Sequence, residues 1–252
     1  MKRAALLLAS ALCCTPPAAG EVPSGNFALA ELDLGPGCRA PEGTWKEAFD
    51  FIRLNTSVEP DPEVPRLAPG DPRLVYHPFL AVSCSKAPPA LSYSAITALR
   101  LHLSAGGTLL LNNSSGARGG SVERWARDFA GLLLPGAGLE PLPPGHVLFK
   151  SFFISRGRGG RFDLQAVPEA AFRSDRAAVI YSANDLAGIW PVSAAGAPVY
   201  PCLPGGEPQR LEGRRLFLNI VMYALTGSYK EDAVHQPFLI EKMRRLSSGE
   251  TP

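Results

Sequence analysis

The 252-residue sequence is poor in charge, in sulfur-bearing motifs and in long apolar runs, and each shortage removes a class of function. Charged residues make up 19% of the chain, against about 25% in an average domain, and the formal net charge is only +2. A protein that grips nucleic acid by its phosphates needs a basic surface. None is encoded, so no nucleic-acid partner is expected. No apolar run reaches the roughly 18 residues that a membrane-spanning helix requires. No G-x-G-x-x-G or G-x-x-x-x-G-K-[S/T] string occurs, so nucleotide cofactors lack their usual phosphate cradle. No C-x-x-C or Cys/His spacing marks a zinc site. Neither a cofactor nor a metal is expected. Gly and Pro, by contrast, are plentiful, with 25 of each. Together they make about 20% of the chain against roughly 12% on average, still short of the roughly 25–30% of low-complexity sequences. The composition is that of a loop-rich globular domain, long enough for a substantial core.

Residues 1–20 read as an address rather than as part of the fold. Lys2 and Arg3 form a short positive region, residues 4–14 an apolar stretch, and Ala18 and Gly20 are the small residues before a cut at Glu21. This is the three-part plan of a secretory signal peptide, and a periplasmic or extracellular location is expected. Cys13 and Cys14 fit a lipid-attachment site poorly, because neither follows small residues with Leu three places back. Once Lys2 and Arg3 are removed, the remaining basic residues equal the 23 acidic ones. Cys38, Cys84 and Cys202 remain, so at most one internal disulfide forms and one thiol stays free. Residues 21–246 read as a single α/β domain and 247–252 as a frayed tail.

Along that domain, residues 27–34 alternate apolar and polar as a strand does. Thr44 precedes Trp45, Ala48, Phe49 and Ile52 at helical spacing. The four prolines between Asp61 and Pro72 exclude regular helix there and leave a connection with a short extended piece. Residues 79–84, 108–111 and 178–181 are continuous apolar runs of strand length, as expected for parallel strands covered on both faces. Helices are predicted from Ser92, which caps Ala95, Ile96, Leu99 and Leu103 and is stopped by Gly106-Gly107, and from Ser121 to Pro135. Two more are predicted over 214–225 and 237–245. Strands alternating with helices imply an open, mainly parallel sheet with helices on both faces.

Five segments carry a resemblance to a known family: PRLVYHPFL (72–80), ALRLHLSAGGTLLL (98–111), LPPGHVLFKSFF (142–153), AVIYSANDLAGIW (178–190) and NIVMYALTGSYKEDAVH (219–235). Together they resemble the bacterial domain of unknown function 4159. The resemblance implies a class I glutamine amidotransferase-like fold, a flavodoxin-like three-layer α/β sandwich. Members tend to be encoded near MoxR-type ATPases and von Willebrand A-type proteins, which implies envelope-assembly partners. Glutamine amidotransferases place a nucleophilic Cys on a strand-to-helix elbow. Here that position falls in Asn112-Asn113-Ser114-Ser115-Gly116, which has no Cys, and amides stand where related sequences tend to carry acids.

In open α/β sheets the ligand crevice lies at the carboxyl ends of the strands. Three polar loops leave such ends, at 83–85, 112–116 and 182–185. Asn112, Asn113, Ser114, Asn184 and Trp190 are the ligand-binding candidates, Trp190 as an aromatic platform for a glycan or peptide or as simple core. His146 and Asp185 are the catalytic candidates, as an acid–His pair orienting a water. The alternatives are that His146 anchors its own turn and Asp185 caps the turn after it. Cys84 reads as a buried structural thiol or a disulfide partner, and Arg156, Arg158 and Arg161, set among glycines, as a flexible exposed loop or as a basic loop that touches an anionic surface. The leading expectation is a non-catalytic binding or assembly domain of the cell envelope, with a hydrolase using His146 and Asp185 as its rival.

Overall fold

The computed structural model describes residues 27–232, with side chains through 226. Seven strands form one sheet in the order β2-β1-β3-β4-β7-β6-β5. They are β1 (Leu29–Leu32), β2 (Arg66–Leu67), β3 (Phe79–Cys84), β4 (Thr108–Asn113), β5 (Glu140–Pro141), β6 (Glu169–Arg173) and β7 (Arg176–Ser182). The first five in that order run parallel, and β6 and β5 extend the sheet antiparallel.

Period-two alternation assigns the faces. Leu80 and Val82 of β3, Leu109 and Leu111 of β4 and Tyr181 of β7 join one core cluster, with α2 (Tyr93–Ser104) and α3 (Ser121–Leu133). Phe79, Ala81, Leu110 and Ile180 join the other, with α1 (Thr44–Asn55) and α4 (Gly206–Asp232). A sheet covered on both sides explains why these strands read as unbroken apolar runs rather than as alternating ones. Among the described residues no helix is long and apolar enough to cross a membrane.

Local chemistry sets the boundaries. The Ser92 hydroxyl accepts from the Ala95 N–H at 3.2 Å and starts α2. Pro135, just beyond α3, cannot continue a helical ladder. Helix α4 begins at Gly206, two turns before the predicted Arg214. Its first residues (GEPQRLEG) have no apolar period to read, and Pro208 is tolerated in a first turn whose N–H groups lack helical partners anyway. Strands β5 and β6 were not predicted. β5 is two residues long, and β6 (EAAFR) is too short and mixed to declare itself. The predicted helix over 237–245, the tail over 247–252 and the leader over 1–20 lie outside the described residues.

Cys84, expected first as a buried thiol, is joined to Cys38 in a disulfide that ties the loop after β1 to the end of β3. Backbone bonds from Ser85 and Lys86 to the Gly37 carbonyl run beside it, and buried Glu31 accepts from the Ala40 N–H. Cys202 is free and buried.

Candidate functional site at the carboxyl edge

Strand alternation splits the two consecutive asparagines at the end of β4. Asn112 faces the α1/α4 layer and Asn113 faces the α2/α3 layer, so each joins a different polar cluster.

The first cluster is Ser83, Asn112, Asp185 and Arg161. Asn112 Nδ2 donates to Ser83 Oγ and to Asp185 Oδ1, both at 2.9 Å, and its Oδ1 accepts from the Leu186 N–H at 2.6 Å. Asp185 Oδ1 also accepts from the Gly188 N–H at 3.0 Å, which closes the turn after β7. The Asp185 side chain is 1% exposed and its backbone sits at φ 54°, the left-handed region that non-glycine residues rarely adopt. Burial pushes its pKa above the ordinary carboxylate value, and the bonds from Asn112 and Gly188 with the charge of Arg161 pull against that. Arg161 Nη1 lies 3.4 Å from Asp185 Oδ2, at the limit of a hydrogen bond. Beneath this cluster Trp45, Ser83, Asn112, Leu186, Ala187 and Phe217 enclose a void with room for about one water.

The second cluster is a buried acid pair with arginines at its rim. Glu123 and Glu169 are 6% and 4% exposed. Arg127 Nη2 lies 2.9 Å from one and 2.8 Å from the other, and Arg118 approaches both. Burial alone would raise the Glu123 pKa, but Arg127, the Gly119 N–H and Arg118 outweigh it and hold the carboxyl low. Asn113 Nδ2 donates to Tyr181 Oη at 3.1 Å, and its Oδ1 accepts from the Ser115 hydroxyl at 2.6 Å. Burial pushes the Tyr181 phenol upward. Asn184 lies between the clusters, accepting from the Leu164 and Gln165 N–H groups and donating to the Gln165 carbonyl.

Asn112 and Asp185 therefore meet, while Asn113 and Asn184 are occupied elsewhere. Ser114 stands half-exposed at the elbow, its N–H bonded to the Cys84 carbonyl. Trp190 is 1% exposed between Phe51 and Phe217, which makes it core and not a platform.

His146 does not reach Asp185. Its Nδ1 accepts from the Leu148 N–H at 3.2 Å, and its ring packs on Phe172 and Tyr223. Tyr223 Oη accepts from the Ala177 N–H, near the start of β7, whereas Asp185 lies beyond the end of that strand. The rise of β7 alone separates the two by roughly 15 Å, so the acid–His pair does not form. The other described histidines share the amino edge: His77 precedes β3, and His102 packs on Gly107, next to β4. Among the described residues, no group of three or more His, Cys, Asp and Glu is arranged to hold a metal ion.

The arginine loop differs most from its expected form. Ser155, Gly157, Gly159 and Gly160 are buried, and the loop is wedged between the 184–188 turn and α4. Gly160 has φ 138°, and a Cβ there would strike the Asn184 carbonyl; one on Gly159 would strike the backbone of Gly213. The glycines bring backbone against backbone rather than supplying flexibility. Arg161, Glu123, Glu169 and Tyr181 were missed as site residues. The i,i+4 pairing of Glu123 with Arg127 was the one local signal for any of them.

A protein-family model described as domain of unknown function (DUF4159) matches residues 39–225. The chain belongs to that family. The matched span covers both clusters and every described candidate residue. A comparison with curated proteins finds no match.

Proposed function

We propose that this chain is an exported cell-envelope domain with a flavodoxin-like, glutamine amidotransferase-like sandwich and a non-catalytic binding or assembly role. One observation carries the reading: the buried acid and amides at the carboxyl edge saturate one another, while every described histidine lies at the opposite edge. Hydrolysis by a Ser or an activated water needs a base within hydrogen-bond reach, directly or through one water. Asn112-Asn113 at the elbow supplies no thiolate. The order β2-β1-β3-β4-β7 supports the fold assignment, because it repeats the 2-1-3-4-5 sequence of flavodoxin-like sheets. The Cys38–Cys84 disulfide supports export, since such bonds persist in oxidising compartments. The partner is an envelope protein or a glycan or peptide ligand.

The test is to express the full chain in a bacterium, fractionate the cells and sequence the mature N-terminus, then incubate the purified protein with cell-wall sacculi and solubilised envelope proteins. The expected result is a periplasmic protein beginning at Glu21 that is retained by an envelope component. An uncleaved cytoplasmic chain would overturn export. Turnover of an ester, amide or glycoside that Asp185→Asn abolishes would overturn the non-catalytic role.

A further inference from the structure

Arg161 is the one polar group of the carboxyl-edge cluster whose bonding is left open. Its guanidinium lies over two aromatic rings, 4.7 Å from the Phe162 centroid and 4.6 Å from that of Tyr200. Two cation–π contacts restrain its position. Of its five N–H donors, one reaches Asp185 at 3.4 Å; the Nε–H is buried without an acceptor among the described residues, so a ligand from solvent meets the group through its Nη atoms. The side chain is 27% exposed, so the group opens to solvent at its edge. Undonated N–H groups on a fixed guanidinium are a standing site for a planar oxyanion.

The surroundings narrow the ligand. Asp185 lies directly behind the guanidinium, and its field penalises a doubly charged phosphate more than a singly charged carboxylate. Tyr200 is flanked by Val199 and Leu203, 49% and 57% exposed, and the Leu203 N–H bonds to the Arg161 carbonyl. Exposed apolar residues therefore flank the ring on which the cation packs, where a sugar acid would have nothing to offer them. We propose that the Arg161–Phe162–Tyr200 clamp recognises the C-terminal carboxylate of a peptide, with Val199 and Leu203 receiving its last apolar side chain. The inference rests on the binding role proposed above and names the ligand for it.

The test is fluorescence anisotropy of the full chain with a labelled Gly-Ser-Gly-Ser-Ala-Leu peptide, as the free acid and as the C-terminal amide. The free acid is expected to bind about tenfold tighter or more. Arg161→Gln is expected to erase the difference. Arg161→Lys should weaken the acid about tenfold, because an ammonium lacks the planar fork and ring stacking of a guanidinium. Tyr200→Leu, which removes one wall and leaves Asp185 paired, keeps the test open if the Arg161 variants misfold, and it should reduce the preference. Equal binding of acid and amide, or a preference surviving Arg161→Gln or Tyr200→Leu, overturns the proposal. So does displacement of the peptide by inorganic phosphate or glucuronate at matching concentrations. Mass spectrometry of the peptide after incubation separates the two readings. An intact peptide without acid preference sinks only the clamp, and a cleaved peptide sinks the non-catalytic role.

Discussion

The two edges of the sheet bury titratable groups in opposite ways. At the carboxyl edge, Asp185 is an acid surrounded by donors, with Asn112, the Gly188 N–H and Arg161 all turned toward it. At the amino edge, His102 is a base with a single acceptor, the Leu74 carbonyl, too little to offset its burial. Its Nε2 is buried and unbonded among the described residues, and its pKa is pushed down to about 4 by burial, with Arg176 adding to the effect. Both groups are displaced toward their neutral forms, so they respond to pH with opposite sign. His102 binds a proton more readily unfolded than folded, so its share of stability is lost as pH falls from 6.5 toward 4. Asp185 holds its proton more tightly when folded. Its share is fully present below 3.8 and is lost as pH rises through its elevated folded value. Each of these buried groups is hydrogen-bonded and shifted toward its uncharged form, and the sign of its charge sets which way pH acts at that edge.

The comparison can be broken in stages. The largest effect is expected from the Cys38→Ala/Cys84→Ala double variant, which unties the carboxyl edge from the loop after β1. Releasing a link across 46 residues costs about 4 kcal/mol on the chain-entropy account, read as a loss of denaturation free energy absent from the amino-edge variants. Next, His102→Leu should remove about 3 kcal/mol of acid destabilisation between pH 6.5 and pH 4. Urea melts at the two pH values measure it, and an unchanged acid limb would show that the histidine is not the sensor. Asn112→Ala strips a donor from Asp185 and an acceptor from the Leu186 N–H, for a loss of about 2 kcal/mol. Asp185→Asn should gain stability relative to the parent as pH rises above 3.8, the reverse of the His102 slope. His146→Ala should cost only about 1 kcal/mol, the value of a cap, with no change in any binding measured at Arg161.

Much of the fold was legible because leucine runs and stop signals are local. Leu109, Leu110 and Leu111 announce a covered strand, and Ser92 with Gly106-Gly107 brackets a helix. The importance of Asn112 and Asp185 was legible too, since polar residues directly after buried strands mark the ligand edge. Which partner each one takes was not. Asn112 and Asn113 are chemically alike and adjacent, and only the pleat sends them to different clusters. That His146 anchors its own turn was legible as one of two readings; that it does not also reach Asp185 depends on how β5 and β6 pair, a long-range choice that a two-residue and a five-residue strand do not encode locally. The glycines around Arg161 read as slack in the sequence, whereas close backbone approach needs the same residue.

Helix α4 is the element that meets both edges. Near its start, Gly213 bears on Gly160 and Arg210 holds the carbonyls of Ile189 and Tyr200; ten residues on, Tyr223 bonds the N–H of Ala177 and carries His146. Side-chain contacts absorb small displacements by changing rotamer, but the Gly213–Gly160 contact is bare main chain and has no rotamers to change. Close main-chain contact therefore fixes the 157–161 loop against the helix, which spans roughly 15 Å between Gly213 and Tyr223. One rigid helix thus ties the glycine loop at the carboxyl edge to the tyrosine ring at the amino edge.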